Sequence, residues 1–555
     1  MMLTVRFARD GGLLGFERPR ELFIARDTDA AREALDAADR ARRDGAWIAG
    51  SVAYDLGASF VREPPRASDI PLVALGAYDA PNEQALPDLA PVALSPLLSL
   101  VTAERYARAI ASIREAIARG DVYQVNYTTP FAFALDGDPY ALWCAVARTT
   151  HARYQAYAFD GERHVLSWSP ELFLAFDGAR VETRPMKGTA PLDAPERLDD
   201  AKNRAEHVMI VDLLRNDLHR VCDDVRVERL CERERYPTFH TMTSTIAGTL
   251  HDDASLRAIF EAAFPCGSVT GAPKRAAIAA IAALEAQPRG AYCGTLGYLS
   301  PQRRGWWNVA IRTAVVDARG AGRFDAGGGI VCDSDADDEA REVLLKARFL
   351  RDAATPFELW ETFASDAPPS VLDAHLARLA ASAARMGIAY DAAALLDACR
   401  ERGERRDLVR VRVRADGSFV LRREPLAESA EPVRVCLSSA RVASDDPFLA
   451  IKSSWRPSHD RATAEARARD CFDALLQNER GELTEGARST LVLDLDGTLV
   501  TPPRSCGLLP GILRSRIVTD GTAVERTITR DDLARARTIY VGNSARGLLA
   551  ATLVE

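Results

Sequence analysis

The 555-residue sequence lacks any run of lysines and arginines interleaved with aromatics, and its net charge is −8 with a pI near 5.7. Such a chain offers no cationic stripe to neutralise a phosphate backbone, which excludes a nucleic-acid partner. It also lacks a membrane span. No stretch approaches the roughly 18 to 20 uninterrupted apolar residues that a membrane helix needs, and the opening MMLTVRFARDGG has no apolar core behind its charges. No membrane association and a cytoplasmic location are the expectations. Ten cysteines are scattered from Cys144 to Cys506 without a CxxC pair, which fits neither a zinc cage nor a small disulfide scaffold. They read as reduced, buried small hydrophobes. Internal repeats and low-complexity linkers are missing too.

What the chain does have is 47% hydrophobic and 27% charged residues, enough to bury more than one core. The fold class expected is α+β. Short apolar runs at 47–49 and 71–75 predict strands in the first hundred residues. From Thr102 the spacing turns helical: Tyr106, Ile110, Ile113 and Ile117 recur at threes and fours, and Gly120 stands at the C-cap. A strand is predicted over 122–127. A helix follows over 206–219, with Val208, Val211, Leu214 and Leu218 as its inward stripe, and another over 344–351. Ala353-Ala354-Thr355-Pro356 is the sharpest break in composition, so domains are expected at 1–354 and 355–555. Beyond the break, 375–386 predicts a helix, and 408–414, 419–423 and 433–437 predict strands.

Chemistry concentrates in a few segments. Glu339 and Glu342 form a Glu-x-x-Glu pair that puts two carboxylates on one helical face, an arrangement suited to Mg²⁺ although most such pairs are solvated surface. Gly327-Gly328-Gly329 could let backbone approach an anion, yet a triple glycine is as often a plain turn, and it does not match GxGxxG. Lys187 in RPMKGT could be a desolvated amine able to attack carbon, whereas an isolated lysine is ordinarily a surface charge.

In their order along the chain these segments resemble the chorismate-utilising family of anthranilate, aminodeoxychorismate and isochorismate synthases. The resemblance covers about residues 100–350 and rests on GDVYQVNYT, SPELF, RPMKGT, NRAEHVMIVDLLRNDL, FPCGSVTGAPK, YCGTLGYLS, IRT and GGGIVCDSD. It implies layered β-sheets with surrounding helices, and chorismate and ammonia as substrates. It further implies that Glu206, Glu339 and Glu342 bind Mg²⁺, and that Glu171 is the general acid/base. By the same resemblance Tyr292, Arg312 and Gly328 hold the enolpyruvyl carboxylate, and His240 and Ser268 line the site. Lys187 stands where aminodeoxychorismate synthases carry lysine and anthranilate synthases carry alanine, and Gln124 stands where the water-adding members carry a lysine base. Lys187 implies a covalent adduct through its amine, and Gln124 implies ammonia as the incoming nucleophile. Asn203 departs from relatives that have a carboxylate there, and Met186 replaces the usual isoleucine. No Gly-Asn-Cys-Leu-Gly-like elbow occurs, so a separate glutamine amidotransferase subunit is the implied source of ammonia.

The tail carries FETF, HLARL, IKSSWR, LTEGARST, TPPRSCGLLPGILR and NSARGL. Across about 357–555 these resemble the class IV aminotransferases, especially 4-amino-4-deoxychorismate lyase. The resemblance implies an α/β domain using pyridoxal 5'-phosphate, with Lys452 bonding to the cofactor aldehyde and carrying protons and Glu485 pairing with the pyridine nitrogen. Arg378, Ser489 and Ser544 become candidates for the phosphate. The implied whole is a bifunctional route to 4-aminobenzoate, a folate precursor. The alternatives are a synthase with a non-catalytic tail and an anthranilate synthase component with an unrelated one. One further motif, the DxDGT at Asp494–Thr498, matches phosphatases of the haloacid dehalogenase type. Too little chain follows it for that fold, so it reads as a strand ending in an Asp-Gly turn.

Overall fold

The computed structural model describes residues 3–9, 12–150, 152–190, 192–199, 201–235, 240–401 and 405–554. The chain divides into two compact units, Met1–Ala354 and Thr355–Glu555.

Two large antiparallel sheets make the frame of the first unit. One has eleven strands and carries the long pair Gln124–Asp136 and Ala321–Ile330 toward one edge; the other has ten and carries His240–Leu250, Arg180–Arg184 and Leu172–Asp177 toward one edge. The early strands do not form a unit of their own. Thr4–Arg9 and Gly12–Phe16 extend the first sheet, while Glu21–Ala25, Trp47–Val52 and Val73–Tyr78 extend the second. Their alternating apolar residues, including Phe7, Phe16 and Tyr78, share one core cluster with Ala156, Val165 and Leu296, so the first hundred residues are packed into the same core as the region that follows.

The helix predicted from Thr102 runs Ala103–Ala118, its first turn closed by the Thr102 hydroxyl accepting from the Arg105 amide and its end followed by Gly120 at φ +81°. The next, Ala201–Leu218, departs from expectation in its stripe. Ile210, Val211, Leu214 and Leu218 face inward, but Val208 is 42% exposed. His207 takes the inward place instead, because its ring bonds the buried Ser244 hydroxyl at 2.6 Å. The helix carrying Glu339 and Glu342 is longer than its apolar part suggested, Ala336–Arg351, since Asp335 caps it by accepting from the amides of Asp337 and Asp338.

At one edge of the ten-stranded sheet lies Cys222–Arg235, whose only strand partner among the described residues is His240–Leu250. It is dense in charge, largely exposed and broken by register shifts. These are the features that blunt a sheet edge.

The second unit pairs a three-stranded antiparallel sheet, Glu358–Ala364, Asp407–Arg414 and Phe419–Pro425, with an eight-stranded mixed sheet. Within the latter, Val433–Val442 runs parallel to both Asp473–Asn478 and Gly547–Val554. The helix Pro369–Met386 packs on the first strand of the small sheet. It ends at Gly387, which adopts φ +65° where the chain turns out of the helix. Asp494 accepts from the Gly497 amide in the turn between Thr490–Leu495 and Thr498–Thr501, so the DxDGT motif is a hairpin corner.

Candidate functional site

In the first unit, four elements bring charged groups around one lysine. Lys187 lies on Met186–Ala190, held against the strand His240–Leu250 with Lys187 opposite Met242. Burial lowers its pKa; Glu206 and Glu171 oppose the shift, and the neighbouring ammonium of Lys346 adds to it. Glu342 acts on the same amine. Thus Glu206 from Ala201–Leu218, Glu342 from Ala336–Arg351 and Glu171 from the loop before Leu172–Asp177 all address Lys187.

Glu171 is 3% exposed and accepts from the Ser268 hydroxyl at 2.6 Å. Burial pushes its carboxyl up to about 7, against the pull of Ser268 and Lys187. Near neutral pH a large fraction therefore carries the proton that a general acid needs. Gln124 is fully buried, and its side-chain nitrogen and oxygen make no hydrogen bond among the described residues. Its amide nitrogen and the Lys187 amine both approach Gly329, the latter to 3.1 Å of where a Cβ would stand. Glycine there lets the two polar groups reach one spot on the strand.

Of the expected metal ligands, Glu339 accepts from the Ser334 hydroxyl at 2.6 Å and its other oxygen lies 3.1 Å from the position of a Gly328 Cβ. Glu342 pairs with Lys346 at 2.7 Å, and that ammonium also donates to the Gly327 carbonyl at 2.8 Å. The donor set is all carboxylate oxygen and fits a hard divalent cation in kind. Among the described residues, however, no three such groups are gathered into a metal cage. Lys346, which the sequence reading passed over, stands in as the local cation; its i,i+4 spacing from Glu342 was the available signal.

The other expected residues are fixed by separate contacts. Tyr292 is buried beside Cys293, Arg289 and Asp325, and burial carries its hydroxyl well above the usual range. Arg312 adopts φ +50° and sets its guanidinium 5.7 Å above the Phe349 ring. His240 begins its strand opposite Ala190, on the edge that holds Lys187. The side chain of Asn203 lies outside the described residues.

In the second unit, burial lowers the Lys452 amine to about 8; Glu361 opposes the shift, Arg378 and Arg456 reinforce it, and Glu485 opposes it. Glu485 sits 3.1 Å from His459 Nε2 and accepts from the Leu509 amide at 3.0 Å. The GLLPG loop also reaches Arg378, which donates to the Pro510 carbonyl at 2.9 Å. One loop thereby ties the carboxylate side of the site to the guanidinium side. Ser544 is joined to this group through His375 at 2.8 Å. The Ser489 hydroxyl donates to the buried Asp473 and lies close to Gly486, the residue after Glu485. A poised amine, a carboxylate beside it and a guanidinium with a hydroxyl fit the aldehyde, ring nitrogen and phosphate of pyridoxal phosphate.

Residues 17–352 match the family model of chorismate binding enzymes, and residues 357–554 match that of amino-transferase class IV. The chain belongs to the chorismate binding enzyme family and carries a class IV aminotransferase domain behind it. Over 259 residues it is 37% identical to aminodeoxychorismate synthase component 1 of Escherichia coli (strain K12), covering 45% of this chain and 57% of that protein. Over 260 residues it is 40% identical to anthranilate synthase component 1 of Streptomyces coelicolor, covering 45% and 51% respectively. The chain thus spans little more than half the length of these relatives. The crystal structure of anthranilate synthase component I from Streptococcus pneumoniae TIGR4 shares the fold, with TM-score 0.54 and 23% identity over 62% of this chain and 92% of that one.

Proposed function

We propose that the chain converts chorismate to 4-amino-4-deoxychorismate in its first unit and releases pyruvate from that product in its second, yielding 4-aminobenzoate. The observation that carries the first step is the Lys187 amine, kept toward its neutral form by burial, beside a Glu171 carboxyl whose pKa is near 7. The amine adds at C2 of the ring while the C4 hydroxyl departs with the proton of Glu171. Ammonia then adds at C4 and expels the lysine, and Glu171 takes the proton back. Gln124, buried with a carboxamide that makes no hydrogen bond among the described residues, would orient the incoming ammonia. A separate glutaminase subunit supplies the ammonia.

Mg²⁺ would be held by Glu206, Glu339 and Glu342, with Glu342 released from Lys346, and would supply charge neutralisation at the ring carboxylate and the departing oxygen. In the second unit pyridoxal phosphate supplies an electron sink when bound. Lys452 would hold its aldehyde, and its amine, lowered to about 8 by burial, would carry the proton from ring C4 to the departing enolpyruvyl group. Glu485 would keep the pyridine nitrogen protonated, and Arg378 and Ser544 would hold the phosphate.

The test is incubation of the protein with chorismate, MgCl₂, an ammonium salt and pyridoxal phosphate, with the aromatic product identified by mass spectrometry and chromatography. The reading requires 4-aminobenzoate and pyruvate from the intact protein. Lys452→Ala should accumulate aminodeoxychorismate and Lys187→Ala should make neither product. If 2-aminobenzoate forms instead, the first unit is an anthranilate synthase. Release of pyruvate by Lys452→Ala at the normal rate would remove the cofactor assignment.

A further inference from the structure

Behind the Arg378 guanidinium lies a chain of buried groups to which the lyase reading gives no part. Glu361, 1% exposed, accepts from Arg378 Nε at 2.8 Å and Nη2 at 2.7 Å, and lies 2.6 Å from His375 Nδ1. His375 is also 1% exposed, and its other ring nitrogen is 2.8 Å from the Ser544 hydroxyl. Burial raises the Glu361 carboxyl, but Arg378 and His375 outweigh it and bring it to about 2, so the group is an anion. An ionised carboxylate only accepts, which places a hydrogen on His375 Nδ1.

The contact at Nε2 then decides what Ser544 presents on its open side. If Nε2 is bare, the hydroxyl hydrogen is spent on the ring and only oxygen lone pairs face outward. If Nε2 carries a hydrogen, the ring donates to the hydroxyl oxygen and the hydroxyl hydrogen is free to turn outward. An anion rewards the second arrangement. The order serine, imidazole, carboxylate is also that of a hydrolytic nucleophile. Here, though, the carboxylate is shared with a guanidinium, so one anion orients both Arg378 and, through His375, Ser544.

We propose that Glu361 and His375 are positioning residues that turn Arg378 and Ser544 into a matched pair of outward donors for the dianionic end of a phosphate monoester, the His375 ring donating from both nitrogens while the anion is bound. This rests on the reading of the second unit as a pyridoxal phosphate site and adds the residues that make its phosphate end selective. Full-length protein is titrated with pyridoxal 5'-phosphate and, separately, with pyridoxal, which lacks the phosphate; binding is followed by the absorbance of the Lys452-bound cofactor and by equilibrium dialysis. The ratio of the two dissociation constants is the readout.

Ser544→Ala should reduce the preference for the phosphorylated compound by about tenfold, the value of one charge-assisted hydrogen bond. His375→Asn, which keeps an N–H for Glu361 but cannot reach Ser544, should reduce it equally, and the double variant should lose no more than either single one. His375→Gln, whose amide can reach the Nε2 position, should recover part of the preference. Equal weakening of both compounds in His375→Asn, or additive losses in the double variant, would overturn the proposal and leave His375 a structural residue. Failure of wild-type protein to bind either compound would overturn the cofactor reading itself, a result distinct from a changed ratio.

Discussion

Glu171 and Lys452 are displaced from their ordinary pKa values by one cause, burial, acting on groups of opposite charge type, and each displacement has a measurable sign. The folded-state pKa of Glu171, about 7, lies above its ordinary 4.5. Folding therefore retains a proton that the unfolded chain loses, and stability falls as pH rises through that window. Glu171→Gln removes the effect. Relative to wild type it should gain on the order of 3 kcal/mol between about pH 4 and pH 8, read by urea denaturation at both pH values, while losing amination. A difference that does not change with pH contradicts the buried-acid assignment. For Lys452 the shift is downward, to about 8. The rate at which cofactor-free protein bonds to added pyridoxal phosphate should climb with pH and level off with a midpoint of about 8; a midpoint near that of a free lysine would mean the amine is solvated. These residues were legible because they sit in strings such as SPELF, RPMKGT and IKSSWR. Lys346, His207, Glu361 and His375 were not assigned roles, since each matters through a partner that lies across a helix turn or on another element, as Ser244 does for His207.

At the scale of elements, the paired strands Gln124–Asp136 and Ala321–Ile330 deliver Gln124 and Gly329 to the same face. A side chain at 329 would collide with the Gln124 amide and press on the Lys187 amine, whose ends can swing aside. Gly329→Ala should accordingly fold, with a melting temperature within a few degrees of wild type, yet lose at least about tenfold in amination rate, because the displaced groups no longer share their approach to the ring. Unchanged amination would show that neither side chain needs its present position. The hairpin at Asp494 makes the opposite case. Asp494→Ala should cost about 1 kcal/mol through the lost turn bond and leave both reactions unchanged; a specific loss of catalysis would give the DxDGT motif a role after all. Element ends were harder to read than element centres. The Glu339 helix begins at an Asp335 cap within an acidic stretch with no apolar periodicity to announce it.

For the molecule as a whole, the boundary at Ala354 separates two compact units, and each carries its own poised lysine. If the reactions are independent, a mixture of Lys187→Ala and Lys452→Ala proteins should make 4-aminobenzoate after a lag, whereas either alone should not; a mixture that stays inactive would mean the intermediate never leaves the chain that made it. The α+β class and the two motif sets were readable because they depend on local spacing and on strings of neighbours. That the first hundred residues are threaded into both large sheets was not, since sheet order depends on pairings such as that of Thr4–Arg9 with Tyr154–Phe159, which no local pattern encodes.

The charged strand Cys222–Arg235 bears on how such a chain behaves in a crowded cell. With His240–Leu250 its only strand partner among the described residues, such an edge would add further strands side by side were its side chains apolar. Alternating acids and arginines make that approach require the stripping of water from many ions at once, and the shifts in register keep the ribbon from lying flat. The same border is also tied inward, Glu228 pairing with Arg180 and Glu234 with Arg184, so ions that hold the strand to its neighbours also make its outer side costly to desolvate.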